Sequence, residues 1–105
     1  MKAGTLDQRV TLEERMEIQD DWGQPIDAWV PVLDAWAAVE PLAGREYIAA
    51  MAEQSEVTAR IRLRYRPGVR ADMRVKHGTD TYGIESVIHI KSAGRELQLM
   101  CRRVA

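Results

Sequence analysis

Val57-Thr58-Ala59-Arg60-Ile61-Arg62-Leu63-Arg64-Tyr65-Arg66 is the stretch from which the architecture follows. Val57, Ala59, Ile61, Leu63 and Tyr65 alternate with Thr58, Arg60, Arg62, Arg64 and Arg66, and a period of two belongs to a β-strand with one face on a core. The apolar side chains are expected on that core, and the opposite face is a row of four guanidiniums. Side chains at i and i+2 of a strand lie roughly 7 Å apart, so the row repels itself unless carboxylates face it. Pro67-Gly68 ends the strand.

Toward the N-terminus, Val10, Leu12, Met16 and Ile18 fall on even positions among polar odd ones, interrupted only at Glu14, and read as a first strand. The turn formers Asp20-Asp21-Trp22-Gly23-Gln24-Pro25 lead into a second apolar stretch, Ala28 to Val39, so the two strands form a hairpin. Pro31 has no N–H to give a ladder and is expected at an edge, a bulge or a break. From Pro41 to Glu56 the period changes. Tyr47, Ile48, Met51 and the alanines around them follow Gly44-Arg45-Glu46 at helical spacing, which predicts one short helix with Glu46 in its first turn. A helix this short is marginal alone and must lean on the sheet or on another molecule.

Toward the C-terminus, Met73 to Lys76 is a short strand, His77-Gly78-Thr79-Asp80 a hairpin turn, and Thr81 to Ile90 a further strand. Lys91-Ser92-Ala93-Gly94 is the last turn, and Leu97, Leu99 and Cys101 mark the closing strand. About six strands at hairpin spacing with one inserted helix predict an all-β fold. At this length, closure into a small β-barrel or a tight sandwich is the economical way to hide sheet edges. The 105 residues are expected to form one domain, since domains cluster at roughly 100–150 residues.

Composition narrows the function. A chain that is 46% hydrophobic with net charge −1 is globular in character. A domain this small buries a compact core but does not easily build a deep water-excluded cleft beside it, so an enzyme is not expected. One cysteine and two histidines cannot close a four-ligand zinc site or an internal disulfide. His77 and His89 lack a nucleophile at any recognisable spacing, Cys101 reads as a core residue, and the scattered single glycines build no phosphate loop. No catalytic residue, metal or cofactor is expected. No apolar run approaches the ~20 residues of a membrane span, so the expectation is a soluble protein made in a reducing cytoplasm.

Charge is segregated along the chain: residues 1–56 carry −8, residues 57–76 carry +6, and residues 77–105 carry +1. Twelve of the fifteen cations are arginine, whose planar fork suits carboxylate or phosphate. Two readings of the arginine strand stand side by side. It can pair with acids of its own chain or of a neighbouring subunit, or it can track a phosphate backbone as a nucleic-acid-binding barrel of the OB type. The second reading is short of exposed aromatics for base stacking, because Phe is absent and Tyr65 is assigned to the apolar face.

Six phrases, in this order, carry a family resemblance: Leu6-x-x-Arg9-Val10-Thr11-Leu12; Asp21-Trp22-Gly23; Trp36-Ala37-x-Val39-Glu40-Pro41-Leu42-x-Gly44-Arg45-Glu46; Tyr65-Arg66-Pro67-Gly68-Val69 with Met73-Arg74-Val75; Ile84-Glu85-Ser86-Val87-Ile88; and Arg95-Glu96-Leu97-x-Leu99-x-Cys101. Nearly end to end, the chain resembles the head-tail joining (head closure, or stopper) proteins of long-tailed bacteriophages and their prophages. The resemblance implies a virion structural protein at the head-tail interface, a small barrel with a long inserted loop or helix. It implies a homo-oligomeric ring beneath the portal and adaptor (connector) that closes the DNA-filled capsid and docks a tail-completion or tail-terminator protein, with packaged double-stranded DNA nearby. The insertion corresponds to Leu42 to Ser55. Candidate ring, partner or channel contacts are Arg60, Arg62, Arg64 and Arg66 on the strand and Arg45, Glu46, Tyr47, Ile48 and Met51 on the excursion.

Overall fold

In the computed structural model, which describes residues 6–53, 56–91 and 95–104, the alternating stretches pair into six antiparallel strands and one helix. The strands are β1 (Gln8–Gln19), β2 (Pro25–Pro41), β3 (Ala59–Arg64), β4 (Arg74–His77), β5 (Asp80–Ile90) and β6 (Glu96–Arg103), with helix α1 (Gly44–Ala52) between β2 and β3. They close into a barrel in the order β1-β2-β3-β6-β5-β4, with β4 returning to β1 through Thr11–Lys76, Leu12–Val75 and Glu13–Arg74. The all-β expectation holds, and of its two forms the closed barrel is the one observed. The last predicted turn, at 92–94, and the end of the excursion, at 54–55, lie outside the described residues.

Alternation fills the interior. Val10, Leu12, Ile61, Leu63, Val75, Leu99 and Cys101 are fully buried, and each large apolar side chain so buried contributes about 1.5–3 kcal/mol. Burial pushes the Cys101 thiol up to about 12, so it stays protonated and behaves as a core residue. The β4–β5 hairpin turns as expected, with Gly78 taking φ +60° between paired His77 and Asp80. Along β5 the register slips between Ile84 and Ser86, and this bulge brings Val87 rather than Ser86 onto the core while Ile88 faces out.

Two strand bounds differ from the sequence reading. β3 runs only from Ala59 to Arg64: the Tyr65 N–H donates to Arg95 O (3.0 Å) and the chain then leaves the sheet toward Pro67. Tyr65 therefore does not join the apolar core face. It is 38% exposed at the barrel mouth, stacked on the His89 ring (centroids 4.4 Å apart) and under the Arg95 guanidinium (4.8 Å). β2 runs from Pro25 to Pro41, beyond the expected Ala28 to Val39, and Pro31 sits at a bulge, one of the three places expected for it: Leu12 faces Leu33, and Glu13 faces Pro31, leaving Val32 as the extra residue.

That bulge divides the hairpin in two. Below it, β1 and β2 are barrel staves. Above it, Glu14–Gln19 pairs only with Pro25–Val30, and neither outer edge meets another described strand. This two-stranded arm extends about 20 Å past the barrel at roughly 3.3 Å per residue, which accounts for the elongated 52 × 31 × 24 Å envelope. Its base is braced from the β3–β4 loop and β4. Arg70 reaches Glu14 (2.9 Å), Arg74 reaches Glu13 (2.6 Å), and Arg74 also lies 4.5 Å over the Trp29 ring.

Candidate assembly surfaces

The arginine strand finds its counter-charge inside the same chain. Arg62 is only 8% exposed; its Nη2 donates to Glu40 and its Nη1 to Glu96, both at 3.0 Å, from the strands on either side. The Glu40 hydrogen bond, outweighing burial, raises the guanidinium pKa above its ordinary value. Arg60 lies 3.8 Å from Glu40 and pairs with Glu46 in the first turn of α1. The segregated charges of the sequence thus fold onto each other, acidic β2 and α1 against basic β3.

The other two arginines are different. Arg64 is exposed and has no carboxylate within salt-bridge reach among the described residues, and Arg66 donates only to the Asp34 carbonyl (2.9 Å). Four arginines that look equivalent in sequence divide into two wall-builders, Arg60 and Arg62, and two surface cations, Arg64 and Arg66. Arg95 and Lys91 lie beside that pair, since Tyr65 hydrogen-bonds Arg95 and Ile90 pairs with Glu96. One end of the barrel is therefore basic.

The excursion behaves as an appendage. Helix α1 has no buried residue; Ile48 is 68% exposed, Met51 and Tyr47 are exposed too, and Arg45 has no charged partner among the described residues. Its backbone stands off the strands, and Ala49, Ala50 and Glu53 face Glu85, Ser86 and Met100 across a shallow cleft. The Arg60–Glu46 pair ties it down. Of the two supports expected for so short a helix, the sheet provides only this edge, and Tyr47, Ile48 and Met51 remain largely exposed.

The sequence reading missed the arm. Met16, Ile18 and Ile26 share one of its faces and are exposed, and Trp22 stands at its tip 86% exposed. The tip is shaped by Asp20, whose Oδ1 accepts from the N–H of Trp22 (2.9 Å) and of Gln24 (2.8 Å), with Gly23 at φ +79°. A signal was present: the apolar alternation of β1 and β2 runs well past the length of the strands that must pair with them.

The barrel interior is filled with side chains, no cluster of three or more metal-ligating groups occurs among the described residues, and no described helix is long and apolar enough to cross a membrane. His77 hydrogen-bonds Gln8 (2.9 Å), and His89 stacks on Tyr65.

Comparison with known proteins identifies relatives of this chain. The chain is 26% identical to head completion protein gp7 of Enterobacteria phage HK97, over 97% of this chain and 96% of that one. In structure it is similar to protein SF1141 of Shigella flexneri 2a (TM-score 0.80, 28% identity, 100% and 98% of the two chains). A chain of the virion of a native gene transfer agent particle shares the fold (TM-score 0.62, 22% identity, 95% and 96%). Nothing in these comparisons supports the nucleic-acid-binding alternative. The model of the phage head completion proteins matches residues 1–104, and the chain belongs to that family.

Proposed function

We propose that this head completion protein joins the phage head to the tail, assembling as a ring of identical copies under the portal and adaptor, where it closes the filled capsid and offers a docking face to a tail-completion or tail-terminator protein. The observation that carries this reading is a barrel with a packed apolar interior that carries exposed apolar and cationic side chains on its outside. These are the exposed Tyr47, Ile48 and Met51 of α1, the cations Arg64 and Arg66, which have no carboxylate partner among the described residues, and the exposed arm. Side chains fill the interior of so small a barrel, which leaves its outer surfaces and its mouth for contacts with other molecules.

Ring contacts between identical subunits are heterologous, one side of each copy meeting a different side of the next. A basic end and an acidic arm on one molecule meet that requirement. Tyr47, Ile48 and Met51, with Arg45 beside them, are assigned to another virion protein or to the channel. Arg60 and Glu46 hold the excursion in position for that contact, and Arg62 secures the wall behind it. The test is electron microscopy of the protein mixed with its portal and adaptor. Added density in the form of a ring below the adaptor supports the reading; an unaltered portal–adaptor complex overturns it.

A further inference from the structure

From the arm and the basic end together, we infer that the contact between copies is made by the tip of one arm, Trp22 with Asp21 and Glu17, seated in a groove at the barrel mouth of the next copy. This rests on the ring reading above and names its joint. The groove has a volume of about 680 Å³ and is lined by Leu6, Asp34, Trp36, Arg64, Tyr65 and Arg66.

Its chemistry matches the tip in two respects. Trp36 and Tyr65 are large, exposed aromatic walls, and an indole is best received by other rings at offset or edge-on geometry. Arg64 and Arg66 are cations without a carboxylate of their own among the described residues, whereas residues 14–30 of the arm hold five acids against the single cation Arg15. Asp34, the acid in the groove, is already engaged: its carboxylate accepts from the Thr11 hydroxyl (2.6 Å) and from Arg9 (3.5 Å), which hold it below the usual carboxylate range. Arg9 also lies 5.3 Å over the Trp36 ring, adding a third positive wall.

The tip cannot satisfy its own groove, because the paired arm carries it about 20 Å past the barrel, at the opposite end of β1 from Leu6. Each copy thus has one tip to give and one groove to fill. That is the condition for head-to-tail contacts, which close into a ring where the rotation from one copy to the next closes. Contacts of this kind put Glu17 and Asp21 against Arg64 and Arg66 while Asp20 stays committed to its turn.

The test uses cysteine pairs, since the native Cys101 is buried and does not compete. Gln24→Cys is made in one batch of full-length protein and Leu6→Cys in another, and particles assembled with both are oxidised and run without reductant. A band at twice the monomer mass that requires both variants is the expected result. Particles that contain several copies but give no such band, or that link Leu6→Cys to a protein of different mass, overturn the arm-in-groove contact while leaving the ring intact; particles without the protein overturn the ring reading itself. A charge swap supplies the second measurement. Glu17→Arg with Asp21→Arg, and separately Arg64→Asp with Arg66→Asp, should each lower incorporation at least tenfold without altering the melting curve, and combining all four should restore it. Failure of the combination to restore incorporation, with all variants folded, counts against the contact.

Discussion

Replacing Arg62 with alanine separates a cation that builds the wall from one that faces outward. The substitution removes a guanidinium that is 8% exposed and leaves Glu40 and Glu96 without their hydrogen bonds at 3.0 Å. Removing one partner of a fully buried ion pair costs about 3–5 kcal/mol. Here Glu40 and Glu96 retain 34% and 28% side-chain exposure, and Glu40 keeps Arg60 at 3.8 Å. Water and Arg60 therefore recover part of the loss, and the expected cost is about 2–3 kcal/mol, equivalent to a fall of about 8–12 °C in Tm for a domain of this size. Arg64→Ala, two residues along the same strand, should stay within about 0.5 kcal/mol of the parent because it loses no partner. Circular dichroism melts at neutral pH, with urea titrations as a check on cooperativity, read both variants. An Arg62→Ala protein melting within about 2 °C of the parent, or an Arg64→Ala protein as damaged as Arg62→Ala, would refute the division of the row.

Other outcomes follow from the same geometry. Changing Tyr47, Ile48 and Met51 together to alanine should leave Tm nearly unchanged, because none is buried, yet abolish incorporation into particles; a collapsed melt would show the helix to be core. The buried Cys101 thiol titrates at about 12 in the folded chain against 9.0 for the free group. The folded state therefore holds the proton more tightly, stability is full below pH 9, and it falls as pH rises from 9 toward 12, by about 4 kcal/mol at 1.36 kcal/mol per unit. Cys101→Val should flatten that part of a Tm-against-pH curve, and an unchanged slope would place the loss elsewhere. With Arg60 and Arg62 taken up by carboxylates, the isolated protein should not grip short single-stranded DNA at micromolar concentration; tight, steeply salt-dependent binding in a filter or anisotropy assay would revive the phosphate-tracking reading.

How much of this was legible in the sequence depended on whether the pattern was local. The period of two along Val57 to Arg66 and along Leu97 to Cys101 reflects one-sided burial, and the all-β class came with it, with barrel and tight sandwich both open, as did the helix at Gly44–Ala52 and the turn at His77–Asp80. What periodicity could not distinguish was partner choice. Arg60, Arg62, Arg64 and Arg66 have the same spacing, but only the register, with Arg62 between Ala38 and Gln98 and next to Glu40 and Glu96, decides which are enclosed. Tyr65 falls on the apolar phase, yet the strand has already ended there. The arm was hidden for a related reason: Met16, Ile18 and Ile26 keep the alternation of a buried strand although they stand exposed on an arm that no other described strand pairs with, a pattern that makes sense when the covering surface belongs to another molecule.

Cryo-electron microscopy of particles assembled with the protein, focused on the junction between head and tail, tests the account most directly. A closed ring of these barrels between the portal–adaptor assembly and the tail is the result it predicts. A junction that lacks this chain, or particles deprived of it that still hold their DNA and infect normally, would contradict it.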